Sequence, residues 1–301
     1  MTLFSFVGSL TVPASTGNQA ITGVGFQPKV VIFWGNEQTA NGSSLGAAQY
    51  VGVGISSTAR VSGGGMSPNG GAQGARFHDN THVFGYVNNV GATLRIADFV
   101  SMDSDGFTLN WNAANASAYR IHYVAIKGPK FAVGATTQPT SNGNVSVTGL
   151  AFAPKAVMLV GNGGAASTTL DNADGNLSIG ASDGTNQFAI WTGNGAASCA
   201  QVLDRTKAIT FYTPNTPTKN AEASLSSLNS DGFTLNWTTT NATAREVLYL
   251  AIGATVLAAT IQWVKDSIEA ALGPEQVPAA LMDFDFDDLR GLKSLALWGQ
   301  R

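Results

Sequence analysis

Several groups of residues have types and spacings that chemistry uses. The sharpest is the carboxylate run Asp283, Asp285, Asp287 and Asp288, interleaved with Phe284 and Phe286. A calcium loop beginning at Asp283 needs glycine at its sixth position and glutamate at its twelfth. Asp288 and Ser294 stand there instead, so the loop fails. Asp residues at a helix N-terminus, set against the helix dipole, account for the run, while the two phenylalanines could dock an extended segment onto a partner. His78 and His82 are four apart, which suits a metal on a helix, but HDNTH reads as loop and strand and has no counterpart later in the chain. His122 reads as a satisfied structural histidine on a strand. Cys199 is the single cysteine; it excludes an intramolecular disulfide and, without a nucleophile signature around it, reads as a buried thiol. Asp103, Asp105 and Asp231 fall in turns, and nothing in their spacing pairs any two as a glycosidase acid and base. The sequence holds no G-x-S-x-G elbow, phosphate loop, dinucleotide fingerprint or H-E-x-x-H pair. These residues point away from an enzyme, and to no cofactor and no metal.

The elements that would have to position these residues are organised around one phrase that occurs twice. SDGFTLNW fills residues 104–111 and again 230–237, an offset of 126. Asp-Gly supplies a turn. Phe107, Leu109 and Trp111, alternating with Thr and Asn, then read as a strand with one buried and one wet face. Phe233, Leu235 and Trp237 repeat the pattern. The bland reading of both tryptophans is core; the sharper one is a binding surface. At the same offset ITGVGFQPKVVIFWGN (21–36) aligns with VTGLAFAPKAVMLVGN (147–162), Tyr123 with Tyr249 and Ile126 with Ile252. A constant offset of domain size is a tandem duplication, unlike a solenoid with its repeats of about 20–50 residues.

Composition agrees. At 301 residues the length suggests about two domains. Charged residues are 12% of the chain, well under the typical quarter or so, so the surface is neutral and hydrogen-bonding. Residues 1–255 carry twelve acidic and twelve basic side chains, and the remainder carries the whole net charge of −3. With no basic face, nucleic-acid binding lacks its electrostatic footprint. No run of about 20 uncharged apolar residues could cross a membrane. The N-terminus has no basic start and no cleavage pattern, so no signal peptide is expected, and the sequons at Asn115, Asn144 and Asn241 then reflect composition.

In chain order, TLFSFVGSLTV reads as an edge strand, PASTGNQAITG as a turn-rich connection, and KVVIFW (29–34) as a strand buried on both faces. VSGGGMSPNGGAQGA is too glycine-dense to carry regular structure cheaply; it reads as a mobile or contact-making loop. HDNTHVFGYV, ATLRIADFV and AYRIHYVAI are further strands. Many short strands and no 3.6-residue period before residue 255 predict an all-β fold: two tandem duplicated β-sandwich domains, jelly-roll or immunoglobulin-like, over 1–128 and 129–255.

Residues 256–301 change character. Ile261, Val264, Ile268 and Leu272 share a helix face, Gly273-Pro274 ends it, and a second short helix follows the acidic run. Such an apolar face must be covered, and isolated helices this short are marginal in water. Folding back onto a sandwich would cover it within the chain; packing against a neighbouring subunit is the preferred reading, so this segment is expected to be an assembly arm. Its candidate interface residues are Trp263, Ile268, Leu272, Phe284, Phe286, Leu292 and Trp298.

TGNQAITGVGFQPKVVIFWG, DFVSMDSDGFTLNW and YVAIKG resemble β-rich structural proteins of tailed-bacteriophage virions, of the minor-tail and decoration type. The resemblance covers both copies, about residues 1–255, but not the C-terminal segment. Its motifs are strands and turns, and no catalytic residue carries over. It implies a virion location after assembly in the host cytoplasm, with other copies of the chain and other virion proteins as partners. The leading expectation is a minor tail or tail-tip component. The alternatives are a head-decoration protein and a carbohydrate- or receptor-binding module that meets host surface glycans. No nucleic acid and no membrane insertion is expected.

Overall fold

The structure is a computed structural model that describes residues 3–43, 47–67, 74–87, 93–113, 117–128, 130–165, 170–171, 174–194, 199–213 and 217–254. Over these residues it is all β, arranged in four antiparallel sheets. The strands of the first half are β1 (Phe4–Thr11), β2 (Gly17–Ile21), β3 (Val30–Gly35), β4 (Ala47–Gly54), β5 (Arg60–Ser67), β6 (Ala75–Asp79), β7 (Phe84–Val87), β8 (Thr93–Asp103), β9 (Gly106–Ala113) and β10 (Arg120–Lys127). The second half supplies β11 (Phe131–Thr137), β12 (Gly143–Val147), β13 (Pro154–Gly161), β14 (Leu170–Asp171), β15 (Gly175–Ser182), β16 (Gln187–Asn194), β17 (Cys199–Asp204), β18 (Ile209–Tyr212), β19 (Lys219–Asn229), β20 (Gly232–Thr239) and β21 (Glu246–Gly253).

Sheet I has the order β1-β10-β3-β4-β5-β6-β14, sheet II β2-β9-β8-β7, sheet III β11-β21-β13-β15-β16-β17 and sheet IV β12-β20-β19-β18. Apart from β14, the strand order of sheet I recurs in sheet III and that of sheet II in sheet IV. Even the irregularities recur: the β8–β9 ladder slips at Ile96/Ala97 and Phe99/Ser101, and the β19–β20 ladder at Glu222/Ala223 and Leu225/Ser227. A bulge is a built feature of a strand, and the same two bulges lie 126 residues apart.

Period-two patterning decides which faces meet. Phe107, Leu109 and Trp111 of β9 are buried with Phe33, Tyr50 and Tyr123 of sheet I in one core between sheets I and II. Phe233, Leu235 and Trp237 of β20 do the same with Leu159, Trp191 and Tyr249 between sheets III and IV. The expected inward face of the repeated phrase is thus observed in both copies. A third core joins the halves: Val30, Val53 and Val61 from sheet I meet Val160, Leu177, Leu248 and Leu250 from sheet III. The layers therefore stack as II, I, III and IV.

Three local expectations are corrected. The connection after β1 contains strand β2, because Gly17–Ile21 finds a partner in β9 although Gly, Asn and Gln favour no strand by themselves. Arg60–Ser67 is a regular strand despite Gly63, Gly64 and Gly65. Bare backbone lets β5 lie against the second half: a Cβ at Gly65 would come 2.9 Å from the Asn176 carbonyl oxygen. The segment makes contacts as expected, but as a strand. Strand β3 is buried on both faces except at its end, where Trp34 is 40% exposed beside His122.

Candidate functional site

The aspartate of the repeated phrase bonds not to its own turn but to a loop some 80 residues away. Asp105 accepts from the backbone N–H groups of Gly23 at 3.0 Å and Gly25 at 2.6 Å; Asp231 accepts from Gly149 at 3.0 Å and Ala151 at 2.8 Å. These bonds hold the Asp105 carboxyl below the usual carboxylate range. The following glycine serves a second contact, since a Cβ at Gly106 or Gly232 would collide with the carbonyl of Ile21 or Val147. Asp103 is likewise committed, accepting from Ser101 and Thr108 at 2.7 Å each. All three carboxylates are structural clamps.

Trp111 and Trp237 are each only 1% exposed. That excludes the sharper reading in which they form a ligand-binding surface.

The two histidines of HDNTH do not converge. His78, on β6, is buried in the seam between the halves, with Nδ1 3.2 Å from Asn162 Oδ1 and Nε2 2.9 Å from Glu246 Oε2, the latter out of line for a hydrogen bond. Beside it, burial and then the charge of Arg76 push Arg245 down to about 10. His82 lies in the β6–β7 turn, where Nδ1 is 2.6 Å from Asp79 Oδ2 and Nε2 faces Asp98 at 3.8 Å. The Asp79 hydrogen bond raises the His82 pKa. Burial opposes ionisation of Asp79, but its bonds from His82 and Thr81 prevail and its pKa falls. His122, on β10, is exposed rather than satisfied within the core. Among the described residues no three His, Cys, Asp or Glu side chains stand where they could share a metal ion.

Cys199 corrects a further expectation: it is exposed, on edge strand β17. Its side of sheet III turns toward sheet I, and there residues of the two sheets line a cavity of about 390 Å³. Gly65 and Gly175 lie where the sheets come together, Leu177 gives it apolar surface, and Gln49, Ser67, Thr192, Asn194 and Gln201 give it amides and hydroxyls. No sequence signal marked this site, because its walls come from strands more than 100 residues apart.

The same face of sheet III carries an apolar strip beyond the cover of sheet I. Ile190 pairs with Leu203 across β16 and β17, and Phe188 lies two residues along. Phe188 and Ile190 are each 48% exposed and Leu203 is 68% exposed. The seven candidate interface residues, Trp263, Ile268, Leu272, Phe284, Phe286, Leu292 and Trp298, lie outside the described residues, as does the carboxylate run at 283–288.

Comparison with protein-family models, with curated proteins and with solved structures found no match.

Proposed function

We propose that the chain is a structural subunit of a tailed-bacteriophage particle, placed at the tail or tail tip, with the capsid exterior as the alternative position. In this reading residues 1–128 and 129–255 are two copies of one β-sandwich unit, and residues 256–301 are the arm that joins neighbouring subunits. The sequence resemblance supports the viral part. The observation that carries the assembly part is the strip of Phe188, Ile190 and Leu203. Contiguous exposed apolar surface marks interaction sites, and β17 beside it is an edge unpaired among the described residues, which invites further association. The apolar face read at Ile261, Val264, Ile268 and Leu272 is of matching chemistry. In a symmetric assembly the arm of one copy covers the strip of the next.

The test is truncation after Gly253 together with Ile190→Lys/Leu203→Lys in the full chain, read by light scattering and by incorporation into particles. Both proteins are expected to fold and to remain unassembled. Normal assembly of either, or outright unfolding of the truncated chain, would show that the segment is not an intersubunit arm.

A further inference from the structure

The cavity between sheets I and III carries an inference independent of the assembly reading. It lies beside the third core, yet its lining differs in kind. The buried residues of that core are all aliphatic, whereas amide and hydroxyl residues line the cavity beside Leu177. None of the described residues that line it is charged. An ionic ligand would meet no counter-charge, and burying a charge without a partner is costly. An aliphatic ligand would strip water from the amides without replacing their hydrogen bonds. A ligand with hydroxyls on its edges and C–H groups on its faces satisfies both parts. Amide and hydroxyl side chains each donate and accept, as a sugar hydroxyl does, and Leu177 offers apolar surface for a ring face. The volume of about 390 Å³ lies within the range of about 300–1,000 Å³ usual for small-molecule sites.

We propose that this cavity is a binding site for a neutral saccharide unit, held by Gln49, Thr192, Asn194 and Gln201 from the two halves of the chain. The site needs both copies of the repeat, since each contributes one wall. It lies away from the two tryptophans that the sequence offered as a binding surface.

Cys199 is both part of the lining and exposed, which makes it a native reporter. The full chain is alkylated with N-ethylmaleimide in the presence of glucose, galactose, N-acetylglucosamine or lactose, and the rate is followed by mass spectrometry. Saturation-transfer NMR reports binding of the same sugars. At least one sugar is expected to slow alkylation and to receive saturation, and a bulky maleimide adduct on Cys199 should abolish its binding. Gln201→Leu, an exposed position on an edge strand, should weaken binding about tenfold, as loss of one good hydrogen bond does. Glucuronate and glucosamine should bind less well than their neutral parent. The proposal is overturned if no sugar protects Cys199, if binding survives the adduct, or if a charged analogue binds more tightly than the neutral sugar.

Discussion

Asp231 holds Ala151 in a left-handed backbone conformation. Its carboxylate accepts the Ala151 N–H at 2.8 Å, and Ala151, at φ +59°, is the one non-glycine with positive φ among the described residues. The equivalent residue of the first half is Gly25, at φ +82° with the same bond to Asp105. The clamp fixes the conformation, and the two halves differ only in whether the residue suits it. An L-residue in this region costs about 1–2 kcal/mol, partly offset by the greater freedom of glycine in the unfolded chain. Ala151→Gly should therefore stabilise the protein by about 0.5–1 kcal/mol, and Gly25→Ala should destabilise it by a similar amount, although a Cβ there meets nothing within 4 Å. Urea denaturation of the pair measures both signs, and equal stability of all three proteins would contradict the argument.

The indole of Trp111 donates to Gln19 Oε1 at 2.9 Å, while the buried indole N–H of Trp237 has no partner among the described residues. The residue corresponding to Gln19 is Val145. Leaving a buried donor unsatisfied costs about 1–3 kcal/mol. Gln19→Val should destabilise the first half by about that amount, and Val145→Gln should stabilise the second by about 1 kcal/mol. Trp111→Ala, which empties a core position, should cost about 3–5 kcal/mol. Denaturation curves with an unchanged m-value would locate each effect in the folded state.

The Asp79–His82 pair makes stability depend on pH in a defined direction. The His82 pKa is raised above its ordinary 6.5, so its contribution is complete below that value and is lost as pH rises through the raised one. The Asp79 pKa is lowered from 3.8, so its contribution is complete above that value and is lost as pH falls through the lowered one. The pair is fully stabilising between those two ordinary values. Asp98 and Arg60, which also face His82, act on it in opposite directions. Replacement by His82→Gln should flatten the stability profile between about pH 6 and 8, and chemical denaturation across that range checks it. A profile that keeps its slope in the variant would assign the dependence to another group.

The repeated phrase made much of this architecture legible. Phe107, Leu109 and Trp111 announce a strand and its buried face, and the constant offset announces that the pattern returns. What stayed hidden depends on tertiary partners. Gly17–Ile21 is a strand only because β9 lies beside it, and β5 holds Gly63 and Gly65 because a second sheet lies against them, with Gly64 crowded by Tyr50 of its own sheet. Alternation in QFAIWTG shows that two faces exist, but not that Phe188 and Ile190 face outward while Trp191 faces the core. The cavity was illegible for the same reason: it belongs to the meeting of the two halves, which periodicity within one half does not describe.

That meeting can be broken selectively. A Cβ at Gly175 would collide with the Met66 carbonyl, and one at Gly65 would come 2.9 Å from the Asn176 carbonyl. The obstruction is backbone in each case, so no side chain can rotate out of the way. Gly175→Val should force β5 and β15 apart, at a cost of about 1–3 kcal/mol as for overpacking elsewhere. The cores that hold Trp111 and Trp237 draw on other residues and should survive. Amide hydrogen exchange is expected to show loss of protection along β5 and β15, with protection retained along β9 and β20. Thermal unfolding should broaden or split as the halves lose their coupling. A variant that unfolds as a single unit with native protection at the seam would mean that sheets I and III do not pack this closely in solution.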